Sequence, residues 1–270
     1  MLLLLKEKEN KMNWIIEENV DKSTIKALSK ELNVDPVISS MLVNRGIKTF
    51  NQAKDFFRPN LGQLYDPFLM MDMDVAVNRI LKAIEQKQSI MIFGDYDVDG
   101  TSSVALLSTY LKEIGADISS YIPDRNSEGY GVSLKAIDLA SNNKQELIIA
   151  LDCGIKANSQ VEYALKKGID FIICDHHNPS EIMPNALAVL NPKRRDCNYP
   201  FKELCGCGVG FKLVQAINSR RGLEIEKIIH YLDLVALAIA ADIVPIVDEN
   251  RTLAHLGMQI INSNPRMGMH

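Results

Sequence analysis

No stretch of this chain approaches the ~20 consecutive apolar residues that a membrane-crossing helix requires, so no helical span is expected. Positive charge is not in excess either: 30 Lys and Arg stand against 34 Asp and Glu, a net charge of -4. The field of the whole molecule therefore does not attract a polyanion, and any nucleic-acid contact has to come from a local patch. Cysteine is sparse. The five residues, Cys153, Cys174, Cys197, Cys205 and Cys207, are an odd number that fits reduced thiols in a cytoplasm better than a disulfide framework. Cys197, Cys205 and Cys207 also lack the spacing of a zinc ribbon or finger, and no fourth ligand is evident. No secretory leader is expected, because Met1 to Leu5 is too short for its apolar region and charged residues follow from Lys6. What is present is a 47% hydrophobic fraction over 270 residues, enough for one large domain with an appendage.

The chain is organised around Ser89 to Ser103, SIMIFGDYDVDGTSS. Ile90, Met91, Ile92 and Phe93 read as a buried strand that runs through Gly94 into Asp95, Asp97 and Asp99. Thr101, Ser102 and Ser103 are positioned to cap the apolar helix that follows, which puts the acidic cluster on a strand-to-helix turn, where parallel sheets hold ligands. Three carboxylates so close repel one another unless a cation holds them, and oxygen donors suit Mg²⁺ or Mn²⁺. A calcium loop is excluded: counted from Asp95, its twelfth position should be a bidentate glutamate but is Leu106, inside a hydrophobic helix.

Residues 1 to 11 share no pattern with the rest and are expected to be a disordered extension. Ser23 to Leu32, Pro36 to Gly46 and Thr49 to Phe57 show helical periodicity, forming a small helical lead-in over residues 12 to 72. Met73 to Gln86 is a further helix. Strands are then expected at Asp117 to Ile122, Glu146 to Leu151, Ile169 to Cys174 and Ala186 to Leu190, alternating with helices at Ser133 to Ser141 and Ala157 to Lys167. From Gly208 the chain turns helical, over Phe211 to Ser219 and Ile225 to Ala241. This alternation predicts an α/β fold, a mostly parallel sheet of five or six strands with helices on both faces. The ends of its buried elements carry metal-ligand side chains: Asp95, Asp97 and Asp99, then Asp152, then Asp175-His176-His177, and Asp242. Each alone has a bland reading as a turn, surface or capping residue. Together they belong to one crevice at the carboxyl edge of a parallel sheet.

These residues, read with PDRNSEGYG (123 to 131), ALDCGI (150 to 155), CDHHNP (174 to 179), NPKRRDCNYPFKELCGCGVGFKL (191 to 213) and LDLVALAIAADIVPIVDENR (232 to 251), resemble the DHH phosphoesterase superfamily, and within it the exonucleases specific for single-stranded DNA. The resemblance covers about residues 12 to 270 and places the DHH domain over 73 to 250. Residues 251 to 270 would then begin a linker to a second domain that lies outside this sequence, making the chain a truncated form with weak or no activity.

The resemblance implies a two-metal phosphodiesterase using Mn²⁺ or Mg²⁺ that acts from the 5′ end in DNA repair and recombination. Asp97, Asp99, Asp152, His176 and Asp242 match metal ligands, with Asp152 as a bridge. His177, Asp95 and Asp97 match catalytic positions, and Arg125 and Arg266 match phosphate-binding ones. Single-stranded DNA is the implied partner, alongside a single-strand-binding protein and a helicase. Two metals also suit the chemistry, since phosphodiester hydrolysis needs a nucleophile at neutral pH and charge relief on both the attacking and the leaving oxygen. A pyrophosphatase or short-oligonucleotide phosphodiesterase of the same superfamily is the competing enzyme, and a non-catalytic nucleic-acid-binding scaffold the competing class.

Overall fold

The computed structural model describes residues 21 to 269, and packing divides the chain into two compact units, one up to Arg58 and one from Pro59 onward. The extension expected at residues 1 to 11 lies outside the described residues. In the first unit, helices α1 (Lys22–Leu32), α2 (Pro36–Asn44) and α3 (Phe50–Phe57) close over a small core of Leu28, Leu42, Val43, Ile47 and Ala53. Their starts follow from the sequence. Asp21 and Asp35 accept first-turn N–H groups, Pro36 opens α2, and Thr49 with Gln52 forms a capping box.

The second unit is built on five strands, β1 (Ser89–Gly94), β2 (Asp117–Tyr121), β3 (Leu147–Leu151), β4 (Asp170–Cys174) and β5 (Ala188–Leu190), so the smaller of the two expected strand numbers holds. They lie in the order β2-β1-β3-β4-β5, and every pair is parallel. Alternate residues face opposite sides, so β-branched runs can bury both. Ile90, Ile92, Leu147, Ile149, Leu151 and Ile172 pack on one side beneath α4 (Met73–Glu85), α5 (Val98–Glu113), α8 (Gly206–Arg220) and α9 (Leu232–Ala241). Met91, Phe93, Ile148, Ala150, Phe171 and Ile173 pack on the other beneath α6 (Leu134–Asn142) and α7 (Asn158–Lys166). The chain leaves β1 outward to β2 and returns on its far side as β3, so the switch point of the sheet falls between the ends of β1 and β3.

Five expectations change. The helix after β1 starts at Val98, not after Thr101, because Asp97 is the N-cap; the hydroxyls of Thr101 and Ser103 instead bond back to the carbonyls of Asp97 and Asp99. Helix α8 starts at Gly206, five residues before Phe211, capped by the Cys205 sulfur, which accepts the Gly208 N–H. The single helix read over Ile225 to Ala241 is two 3-10 turns, Ile225–Lys227 and Ile229–Tyr231, followed by α9. Residues 251 to 263 complete helix α10 (Asp248–Ser263), where Gly257 lies so close to the Leu232 carbonyl that a Cβ has no room. Residues 59 to 72 likewise belong to the second unit. Tyr65 N–H donates to Glu249, and the Asp72 carboxylate takes the Val189 N–H and the Arg194 guanidinium.

Candidate metal centre

Every candidate ligand sits where an element ends. Asp152 follows β3 directly, with φ of 59°, a left-handed conformation that Asp and Asn tolerate better than most residues. His176 and His177 follow β4, Asp99 lies in the first turn of α5, and Asp242 caps the carboxyl end of α9. Two triads result, Asp152, His176 and His177, and Asp99, His176 and Asp242, each with donor atoms within 4.8 Å of one another. They share His176, whose Nε2 lies 3.2 Å from Asp152, 3.6 Å from Asp242 and 3.9 Å from Asp99. Asp152, expected to bridge two ions, belongs to the first triad.

The groups fit a divalent cation. Asp152 Oδ1 and both ring nitrogens of His176 are buried with no hydrogen-bond partner, a costly arrangement for a site built only for protein. Burial pushes the Asp152 carboxyl up to about 10, helped by the charges of Asp99 and Asp97. Asp99 is pushed up to about 6 by burial, against the pull of the backbone N–H groups that bind it. Burial holds His176 below its ordinary value despite the surrounding carboxylates, so its contacts with them are those of a neutral imidazole. Carboxylate oxygens with one or two imidazoles suit Mn²⁺ and Mg²⁺, and cationic charge is what this cluster lacks.

Neighbouring residues set the geometry. The Gly206 and Cys207 N–H groups of α8 donate to the two oxygens of Asp99, each at 2.6 Å, placing a buried carboxylate on a helix N-terminus. Gly206 also touches Asp152: a Cβ there would stand 2.5 Å from Asp152 Oδ1. Asp175 is engaged by its own neighbours instead. It accepts the N–H groups of Ile155, His176 and His177 and, at 2.7 Å, His177 Nδ1. That last bond, strengthened by the Asp175 charge, raises His177 to about 9, so its ring is an imidazolium at neutral pH. Gly206 had no role in the sequence reading, and Asp175, grouped there with the metal-ligand side chains, instead orients His177. The signal for Asp175 was available, an acidic residue leading a His pair after a buried strand.

Not every expected residue enters the triads. Asp97 is exposed and its side chain caps α5 by accepting Gly100 N–H at 2.9 Å. Asp95 is buried beside it, with Oδ1 unpaired. Arg125 stands on the exposed loop after β2, its guanidinium 5.3 Å from the centre of the Tyr96 ring. Arg266 is occupied: it grips buried Asp233 through two nitrogens, at 2.5 and 2.7 Å, and the His230 carbonyl.

Fold and site together define an α/β protein with a metal-binding centre at a topological switch point. The chain belongs to the DHH family, whose N-terminal domain matches residues 89 to 239. It is 40% identical over 260 residues to the single-stranded-DNA-specific exonuclease RecJ of Bacillus subtilis (strain 168), covering 96% of this chain and 32% of that protein. RecJ of Escherichia coli (strain K12) is 34% identical over 239 residues, 84% of this chain and 41% of the relative. The chain therefore spans well under half the length of these curated relatives. Among solved structures, exonuclease RecJ bound to manganese superposes with a TM-score of 0.70 at 31% identity, covering 78% of this chain and 52% of that one. RecJ in complex with Mn²⁺ from Thermus thermophilus gives a TM-score of 0.76 at 27% identity, over 92% of this chain and 34% of that one.

Proposed function

We propose that this chain carries the metal centre of a phosphodiesterase that removes nucleotides from the 5′ end of single-stranded DNA, in DNA repair and recombination. The observation behind the reading is the cluster of Asp99, Asp152, His176 and Asp242, brought together from the ends of β3, β4 and α9 and the start of α5, with His177 beside it. Two Mn²⁺ or Mg²⁺ ions bound there supply a nucleophilic water and charge relief on the attacking and leaving oxygens. Asp99, Asp152, His176 and Asp242 would hold them, with Asp97 at the rim able to join once it leaves its cap. His177, tied through Nδ1 to Asp175, presents its remaining N–H to a phosphate oxygen as a charged donor. Arg125 forms no ion pair among the described residues and is the guanidinium available to a strand phosphate, whereas Arg266 would first have to release Asp233.

The names of the relatives, single-stranded-DNA-specific exonucleases, support the choice of substrate. Cytoplasm suits the five free buried thiols, and a single-strand-binding protein and a helicase are partners that such an activity calls for. The test is Mn²⁺-dependent release of nucleotides from a 5′-labelled single strand, run beside a duplex of the same sequence, a dinucleotide and pyrophosphate. Degradation of the single strand that Asp152→Asn abolishes is expected. Turnover of pyrophosphate alone, or activity indifferent to Asp152→Asn, would overturn the reading.

A further inference from the structure

The loop from Ile122 to Ser133 carries residues at both edges of the centre. Near its start, Arg125 lies over the ring of Tyr96, which separates Asp95 from Asp97. Near its end, the Tyr130 hydroxyl is 3.4 Å from His177 Nε2. A surface segment of this length, rich in polar residues, needs an internal reason to hold one shape. The reason is Glu128, whose side chain is only 5% exposed although it belongs to a surface loop. The Tyr121 hydroxyl, at the end of β2, approaches both of its oxygens, at 2.9 and 2.8 Å. Ser133, the N-cap of α6, donates its hydroxyl at 2.6 Å, and the Asp124 N–H donates at 3.2 Å. One carboxylate thus joins the strand before the loop, the helix after it and the backbone beside Arg125. Asp124 then folds the tip, accepting N–H groups from Asn126 and Ser127.

We infer that Glu128 is a positioning residue that holds Arg125 ready for a terminal phosphate of the substrate, an inference that rests on the phosphate-binding role proposed for Arg125. None of the bonds to Glu128 involves a residue of the two triads, so its effect on substrate separates from metal binding. A loop preorganised in this way gives up less freedom when the phosphate arrives.

Thymidine 5′-monophosphate, compared with thymidine, reads the phosphate contact without any bond being cleaved. Their affinities for the Mn²⁺-loaded protein are measured by titration for the wild type, Arg125→Ala, Glu128→Gln and the double variant, and Mn²⁺ affinity is measured for each. Tyr121→Phe serves as a second, milder variant, since it removes one donor and keeps the ring stacked on Phe93. The expected result is a preference for the monophosphate that drops about tenfold, or ~1.4 kcal/mol, in either single variant. The double variant drops no further, because Glu128 acts only through Arg125. Tyr121→Phe falls between, and Mn²⁺ affinity stays constant throughout. If Arg125→Ala loses the preference while Glu128→Gln and Tyr121→Phe keep it, the inference about Glu128 fails and the role of Arg125 stands. A wild type with no preference for the monophosphate overturns both. Additive losses in the double variant, or weaker Mn²⁺ binding in Glu128→Gln, would likewise refute a positioning role.

Discussion

Asp152→Asn should stabilise the metal-free protein and remove its response to Mn²⁺. Asn tolerates the left-handed backbone of this position, where φ is 59°, and nearly matches Asp in volume, so the substitution removes charge and leaves shape. The carboxyl is pushed up to about 10 in the folded chain by burial and by Asp99 and Asp97, against an ordinary value of 3.8. Between those values the folded state holds a proton that the unfolded state has lost. Stability contributed by this group therefore falls as pH rises, starting near 3.8 and continuing to the folded value. At ~1.36 kcal/mol per pH unit the penalty at pH 7 reaches ~4 kcal/mol at most, and sharing of protons with Asp99 makes about 2 kcal/mol a reasonable lower figure. A protein of this size shifts its Tm by about 2 to 4 °C per kcal/mol, so the metal-free variant should melt at least several degrees above the wild type. Mn²⁺ at a hundredfold excess over Kd should return about 2.7 kcal/mol to the wild type and little to the variant. Calorimetric scans from pH 5 to pH 8, in chelator and then in Mn²⁺, would show the chelator gap widening with pH. A gap that does not vary with pH, with the variant the less stable protein and equally responsive to Mn²⁺, would refute the picture of an unpaired carboxylate kept for a cation.

Gly206→Ala should weaken Mn²⁺ binding at least tenfold, because the new Cβ would stand 2.5 Å from Asp152 Oδ1 and 2.6 Å from its Cβ; unchanged affinity in isothermal titration would show that the helix yields instead. Lys212→Met should cost roughly 3 to 5 kcal/mol in urea unfolding, since it strands Glu249 with neither residue's side chain exposed, while Lys212→Met with Glu249→Gln should recover much of that loss. A single variant within 1 kcal/mol of wild type would mean that Tyr199 and the Tyr65 N–H, which also bond Glu249, suffice without the lysine.

Strands β1, β3, β4 and β5 were legible because burial on both faces leaves continuous apolar runs, and the triads because each ligand sits just past the end of such a run or beside a capped turn. Asp99, Asp152, His176 and Asp242 needed only one topological rule to be brought together from positions 99 to 242. What could not be read depended on partners that local pattern does not name. The start of α8 at Gly206 was hidden because glycines in CGCGVG argue against helix by propensity, while the fold needs them there: a side chain at 206 would displace Asp152. Propensity lost to the requirement that two backbone N–H groups meet Asp99. Lys212 looks like an ordinary lysine on an amphipathic helix, and its burial follows only from Glu249, 37 residues away at the start of a helix that the sequence reading did not predict. The same holds for Arg266, whose match to a phosphate-binding position could not reveal Asp233 beneath it. In each case the missing information is the identity of a distant charge, and charge pairing has no periodicity from which it could be inferred. Residues whose role is to meet solvent or a ligand at an element's end were therefore readable singly, whereas residues whose role is to satisfy another buried charge became readable only once the packing of α8, α9 and α10 was known.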